Sequence, residues 1–238
     1  AALSSVAVGS GVLRAYFTPP SDAAFEVAVF VATNESLLFS ATPQVPLAGA
    51  TSVTVNALTN DTQHFVGLGI RPTTGGTYVQ TGGKLTAIPN PPIFVDAAST
   101  SGAPDGLTPA TAFPTVIGGA LTGFASLLGG ATGANVWVRE GTYDVASIPL
   151  ASGVSIIGGF DATFTLASRD PVAAPTVWNV PAGQTGLECG SPVDNGLPAV
   201  LDGVRITGNT TGRIAVDSNS SDPSAIELRS VVITDMLD

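Results

Sequence analysis

The sequence has one cysteine, Cys189, one histidine, His64, one lysine, Lys84, and one methionine in 238 residues. A single cysteine excludes a disulfide within the chain and a cysteine-based zinc site. A single histidine means that any histidine-dependent chemistry must run through His64. Charged residues make up 11% and aromatic residues 6%. Charge this sparse excludes solvated disorder and long surface helices, which need it to stay in water. Long apolar runs are missing as well. The stretch from Gly106 to Val138 carries no charge, but Pro109, Pro114 and repeated Gly, Thr and Ser interrupt it. A membrane span needs about 20 apolar residues, so this stretch is read as holding a buried helix instead. The chain opens at Ala1 with no basic segment and no apolar stretch of signal length, and is expected to be a processed or excised chain.

What is abundant is apolar residues, at 44%, with 28 Gly and 18 Pro. That mixture suits many short strands joined by tight turns. The net charge of −10 is shared unevenly. Four acids face three bases over residues 1–92, and fourteen face five over 93–238. A surface this acidic repels phosphate backbones, so nucleic acid is excluded as a partner.

Residues 1–92 alternate in short runs, Val12–Phe17, Phe25–Val31, Ser52–Val55 and His64–Ile70, separated by turn clusters such as Pro19-Pro20-Ser21-Asp22 and Thr73-Thr74-Gly75-Gly76. This is the pattern of an antiparallel β-sandwich. The order of features resembles a fibronectin type III domain. Arg14 to Asp22 looks like its strand B and the Pro-rich turn after it, and Phe25 to Phe30 looks like strand C. Leu58-Thr59-Asn60-Asp61-Thr62-Gln63-His64, followed by Phe65 to Ile70, resembles the segment around that family's corner tyrosine. His64 stands in the tyrosine's place and is expected to hydrogen-bond nearby backbone; Tyr16 or Phe17 replaces the family's strand-B tryptophan.

Asn90-Pro91-Pro92 is a stiff, polar link and marks the boundary between a domain at 1–92 and another at 93–238. Beyond it, Ile117, Leu121, Phe124 and Leu128 recur at the spacing of one helix face. Thr115 suits the N-cap and Gly129 the stop. The expectation is that Leu121, Phe124 and Leu128 bury themselves on a first coil, while Gly118, Gly119, Thr122, Ala125 and Ser126 form a small opposite face. Short apolar strands then recur at Val136–Val138, Val154–Ile156, Thr176–Trp178, Val204–Ile206 and Val231–Ile233, with starts 18, 22, 28 and 27 residues apart. Repeats of this length point to a β-solenoid, and the last offset sets Asp202 beside Arg229.

Several segments carry a second resemblance: Phe94-Val95-Asp96, Asp105-Gly106, Ala112-Phe113-Pro114-Thr115, Val136 to Tyr143, Gly153 to Asp161, Arg169-Asp170-Pro171 and Leu201 to Asn209. In this order they resemble the start of the pectin-lyase-like right-handed parallel β-helices of bacterial surface and polymorphic outer-membrane-type proteins. The fold expected is therefore all-β, a fibronectin type III-like sandwich followed by the N-terminal part of such a helix with a capping α-helix. The resemblance implies a secreted or cell-surface location. It also brings the chemistry of polysaccharide lyases, which hold Ca²⁺ with acids, and of glycosidases, which face two carboxylates across a bond. Asp96 and Asp105 are the candidate Ca²⁺ ligands, against a plain role in turns. Trp137 and Trp178 are candidate sugar-stacking residues, against packing under a loop. Asp161, Asp170, Asp194 and Asp202 are scattered, with no compact cluster visible. Asn34, Asn60, Asn209 and Asn219 fit the glycosylation pattern by coincidence in a bacterial chain.

Three function classes follow, in this order. The first is a surface structural or adhesion protein that binds a polysaccharide or protein partner. The second is a subunit of an extracellular fibre, and the third a carbohydrate-active enzyme. Met236-Leu237-Asp238 follows the last strand without a cap, so further chain, another subunit or a second copy is expected to cover that end.

Overall fold

In the first ninety residues every alternating run becomes a strand. The strands are β1 (Ala2–Gly9), β2 (Val12–Thr18), β3 (Phe25–Ala32), β4 (Ser52–Val55), β5 (His64–Pro72) and β6 (Val79–Ala87). They form two antiparallel three-stranded sheets, in the orders β1-β2-β4 and β3-β5-β6. Alternation does its work in β2, where Leu13, Ala15 and Phe17 are buried and the residues between them are not. The even residues of β3 carry a satellite core of Ala28, Phe30 and Leu38, the last from a short helical turn at Glu35–Ser40. Two glycines of β5 make room for it. A Cβ on Gly67 would sit 2.9 Å from Leu38 Cδ2 and Phe39 Cζ, and one on Gly69 would sit 2.9 Å from Phe30 Cε2.

The computed structural model describes residues 1–128, 133–146, 148–184, 186–189, 198–208, 217–218 and 226–234. The chain divides into Ala1–Asn90 and Pro91–Asp238, two residues earlier than the linker prolines indicated. Each unit is described by itself.

The second unit starts with β7 (Pro92–Val95) and α1 (Val116–Leu128). The strands β8 (Ala134–Arg139), β9 (Gly141–Asp144) and β10 (Ile148–Leu150) follow, then β11 (Val154–Phe160), β12 (Thr176–Val180) and β13 (Leu187–Cys189). After these come β14 (Ala199–Asp202), β15 (Val204–Gly208), β16 (Asp217–Ser218), β17 (Ile226–Arg229) and β18 (Val232–Ile233). β7 pairs in parallel with β8, and from β8 on each strand pairs in parallel with the one three places later, giving three sheets: β7-β8-β11-β14-β17, β9-β12-β15-β18 and β10-β13-β16. A chain that visits three parallel sheets in turn and then repeats fits a parallel β-helix. Its interior is filled by inward residues of successive coils, among them Val138, Val145, Ile156, Trp178, Leu201 and Ile206.

The sequence period needs one correction. Val136 and Val154 lie on one sheet, but Thr176, Val204 and Val232 lie on another, so the 22-residue step from Val154 is a corner and not a full turn. The 27-residue offset is a full turn. It pairs Asp202 with Arg229 and Ile206 with Ile233.

The helix needs another correction. Thr115 caps it, its Oγ1 accepting from Gly118 N–H at 3.2 Å. Leu121, however, is 50% exposed. The buried face is Val116, Gly119, Ala120 and Gly123. A Cβ on Gly119 would lie 2.5 Å from Val95 Cγ2 and 2.9 Å from Val136 Cγ1. The helix therefore comes down on β7 and β8 at backbone distance, which only the small residues allow, and Leu121 stands too far out. The side chains of Phe124 and Leu128, Gly129, and the segment around Leu237 lie outside the described residues.

Candidate functional site

In the first unit, loops shape the concave surface. After β2, Pro19 and Pro20 stiffen the chain, and Asp22 turns it: its Oδ1 accepts from Ala24 N–H at 2.8 Å, and its carbonyl accepts from Phe25 N–H at 3.2 Å. Opposite, Gln44 exchanges two backbone bonds with Val29, at 2.9 and 2.8 Å, which holds Val45-Pro46-Leu47 alongside the edge of β3. Ala50 N–H then closes a turn on Leu47 C=O at 3.0 Å. Between these segments lies a cleft of about 360 Å³. Its apolar walls are Pro19, Pro20, Phe25, Val45, Pro46 and Leu47, and Val27 contributes the strand edge. Leu47 is 87% exposed, far more than a leucine with a structural task.

Two lining residues are charged, Asp22 and Glu26, and both are acids. Glu26 is paired with Arg71, accepts from Tyr78 Oη at 2.9 Å, and Arg71 in turn lies 4.5 Å over the Tyr78 ring. The Arg71 bond, then the Tyr78 bond, hold the Glu26 carboxyl below the usual carboxylate range. Burial, then the bond to Glu26, push the Tyr78 hydroxyl up. Exposed apolar walls of this kind are a common feature of binding surfaces.

The sequence candidates sit elsewhere and are engaged. Trp137 points out of β8 while Val136 and Val138 point in, but its ring is only 6% exposed. It stacks on Phe160 at 4.4 Å and 15°, and Phe94, edge-on to it at 5.9 Å, meets Phe164 of the loop after β11. Trp178 is fully buried inside the coil, in register with Tyr143 and Ile206. Neither ring offers a face to a sugar, because one is under a loop and the other is core.

Asp96 pairs with Arg139 at 2.9 Å and accepts from Ala98 N–H at 2.8 Å. Asp105 accepts from Leu107 N–H at 2.9 Å and Thr111 Oγ1 at 2.5 Å, and the Thr111 bond, then the Leu107 bond, hold its carboxyl below the usual range. Ca²⁺ asks for six to eight oxygens. A guanidinium beside Asp96 and turn donors on Asp105 do not form that cage, and no group of three His, Cys, Asp or Glu gathers among the described residues. Asp161 and Asp170 likewise bind their own turns, and Asp194 lies outside the described residues. Asp202 is buried against Arg169 at 3.0 Å. His64 is buried and reaches Thr59 C=O at 3.4 Å, so the one histidine serves the backbone five residues upstream.

The cleft is what sequence reasoning missed. In sequence, Pro19-Pro20 marks a turn, and the one available signal is the apolar Val45-Pro46-Leu47-Ala48 in a loop, where polar residues usually stand.

No protein-family model matches the chain, and no curated protein aligns with it. Solved structures similar to it include a family 28 exopolygalacturonase of Yersinia enterocolitica, at 14% identity and TM-score 0.29, covering 87% of this chain and 41% of the other. Another is the pectate lyase PelI of Erwinia chrysanthemi, at 14% identity and TM-score 0.27, covering 98% of this chain and 77% of the other. The chain thus spans about two fifths of the length of the exopolygalacturonase. At these scores the similarities assign no family.

Proposed function

We propose that the chain is a secreted or cell-surface adhesion and structural protein. In this reading the first unit is a fibronectin type III-like sandwich that binds a surface polysaccharide or protein, and the second is a right-handed parallel β-helix that carries it. The arrangement of β1, β2 and β4 in one antiparallel sheet and β3, β5 and β6 in another supports the sandwich reading. Right-handed crossing is what nearly all parallel connections adopt. The observation that carries the function is the exposed apolar cleft around Leu47, which has binding walls and no acid–base pair. Retention of the 238-residue chain on bacterial cells and on their surface polysaccharide tests it. Leu47→Asp, with an unchanged circular dichroism spectrum, is expected to lower retention at least tenfold; equal retention of both chains contradicts the reading.

The fibre reading has its own support. The last described strands, β17 and β18, leave Leu228, Val232 and Ile233 about half exposed at sheet edges. Sedimentation that shows concentration-dependent assembly, reversed by Ile233→Lys, favours that reading, whereas a monomer at every concentration removes it. Turnover of polyuronates that calcium chelation abolishes moves the assignment to the lyase class.

A further inference from the structure

The cleft is poor in the groups that a sugar needs. A saccharide brings hydroxyls into a pocket, and each one left without a partner there weakens binding. Four lining side chains are polar, Ser21, Asp22, Glu26 and Thr73, and three of them are already engaged. Glu26 is held by Arg71 and Tyr78. The Thr73 hydroxyl donates to Ala24 C=O at 3.2 Å, and Asp22 Oδ1 accepts from Ala24 N–H at 2.8 Å. Among the lining residues Phe25 alone is aromatic, so no tryptophan or tyrosine platform receives the face of a sugar ring. What the walls offer is apolar, with Pro19, Pro20 and Phe25 along one side and Val45, Pro46 and Leu47 along the other. At about 360 Å³ the cleft lies at the small end of the range for binding pockets, with room for a side chain or two.

Charge narrows the occupant further. Both charged lining residues are acids. Glu26 has Arg71, whereas Asp22 is exposed and pairs with no cation among the described residues. Several aliphatic side chains that this chain exposes elsewhere stand beside acids: Leu37 is two residues from Glu35, Leu107 from Asp105 and Val172 from Asp170. A second copy would therefore bring acid to acid, on a chain whose net charge is already −10. Anionic lipid headgroups meet the same repulsion. Resting on the binding reading above, we infer that the cleft takes an apolar side chain of a different protein, with a lysine or arginine beside it that meets Asp22. An apolar centre with a charged rim is the usual build of a protein–protein contact.

Nuclear magnetic resonance titration of the labelled 238-residue chain with blocked tetrapeptides Gly-X-Z-Gly tests this, with X as Leu, Phe or Ser and Z as Lys or Glu. Leu and Phe peptides are expected to shift the amide signals of Phe25 and Leu47, and Ser peptides to leave them in place. Lys should bind about two- to fivefold more tightly than Glu at low salt, the range of an exposed ion pair, and the two should converge at high salt. Asp22→Asn should remove the preference for Lys and keep the preference for Leu over Ser, while Leu47→Asp should weaken every Leu peptide at least tenfold. Shifts that do not depend on X, a preference for Glu, or no shift at the cleft with any peptide overturns the inference. On bacterial cells, retention that depends on Leu47 should be lost when surface protein is shaved with protease and survive periodate oxidation of surface sugars. The opposite pattern overturns the inference and leaves the binding function standing, with a polysaccharide as partner. Lys-selective peptide binding at the cleft without any retention on cells does the reverse.

Discussion

Tyr143 sits in β9, just past the corner that ends β8, buried, with its hydroxyl donating to Arg139 C=O at 3.0 Å and accepting from Ala97 N–H at 3.2 Å. Burial first of all pushes that hydroxyl up to about 12. An unfolded tyrosine titrates near 10. The neutral form is thus favoured in the folded chain, so the contribution is fully present below about pH 10 and is lost as pH rises toward about 12. Stability should fall by about 2–3 kcal/mol across that window. Tyr143→Phe should flatten the slope while lowering stability at pH 7 by about 1–3 kcal/mol, because Ala97 N–H loses its acceptor. Urea titrations at pH 8, 10 and 11.5 read both effects. The Arg169–Asp202 pair is the other buried commitment. Arg169 Nε donates to Gly158 C=O at 2.8 Å, and a second guanidinium nitrogen lies 3.0 Å from Asp202. Asp202→Asn leaves a buried guanidinium without its counter-charge and should cost about 3–5 kcal/mol in urea unfolding at pH 7; a loss below 1 kcal/mol contradicts the role given to the pair.

Among the elements, α1 separates what periodicity can show from what it cannot. Alanine in place of glycine favours a helix by about 1 kcal/mol. At Gly119 the added methyl meets Val95 and Val136 below 3.0 Å, so Gly119→Ala should instead destabilise, by about 1–3 kcal/mol. At Gly123 the nearest atom, Ala134 Cβ, is 3.4 Å away, and Gly123→Ala should be neutral or stabilise by up to about 1 kcal/mol. Thermal unfolding of the two variants distinguishes them; the same sign for both contradicts the packing described. The period of Ile117, Leu121, Phe124 and Leu128 was enough to find the helix and Thr115 its start. Which face lies inward is set by how closely β7 and β8 approach, and a hydrophobic pattern does not record distance. Strands with β-branched alternation, such as Val27-Ala28-Val29 and Val136-Trp137-Val138, were legible for the same reason the helix was. β1 and β6 were not, since Leu3-Ser4-Ser5 and Thr81-Gly82-Gly83 carry no apolar alternation and become strands through their neighbours. The solenoid repeat was legible where two whole coils aligned, at Asp202 and Arg229, and misread where a corner stood in for a turn.

For the molecule as a whole, each unit keeps its chemistry local. Among the described residues of the second unit, Asp105, Asp161 and Asp170 are engaged in turns, Asp96 and Asp202 face Arg139 and Arg169, and both tryptophans are packed. The first unit leaves Leu47, Val45 and Phe25 exposed around a cleft whose two sides, residues 19–27 and 45–50, meet only because Gln44 pairs with Val29. No local pattern in either segment announces the other, which is why this site had to be seen folded. The central claim is that the chain binds its partner there. Hydrogen–deuterium exchange of the full chain, alone and bound to cell-surface material that retains it, reads the claim most directly. Protection on binding should concentrate in Pro19–Val27 and Val45–Ala50. Protection confined to the outer faces of the parallel sheets, with these two segments exchanging as before, would contradict the account.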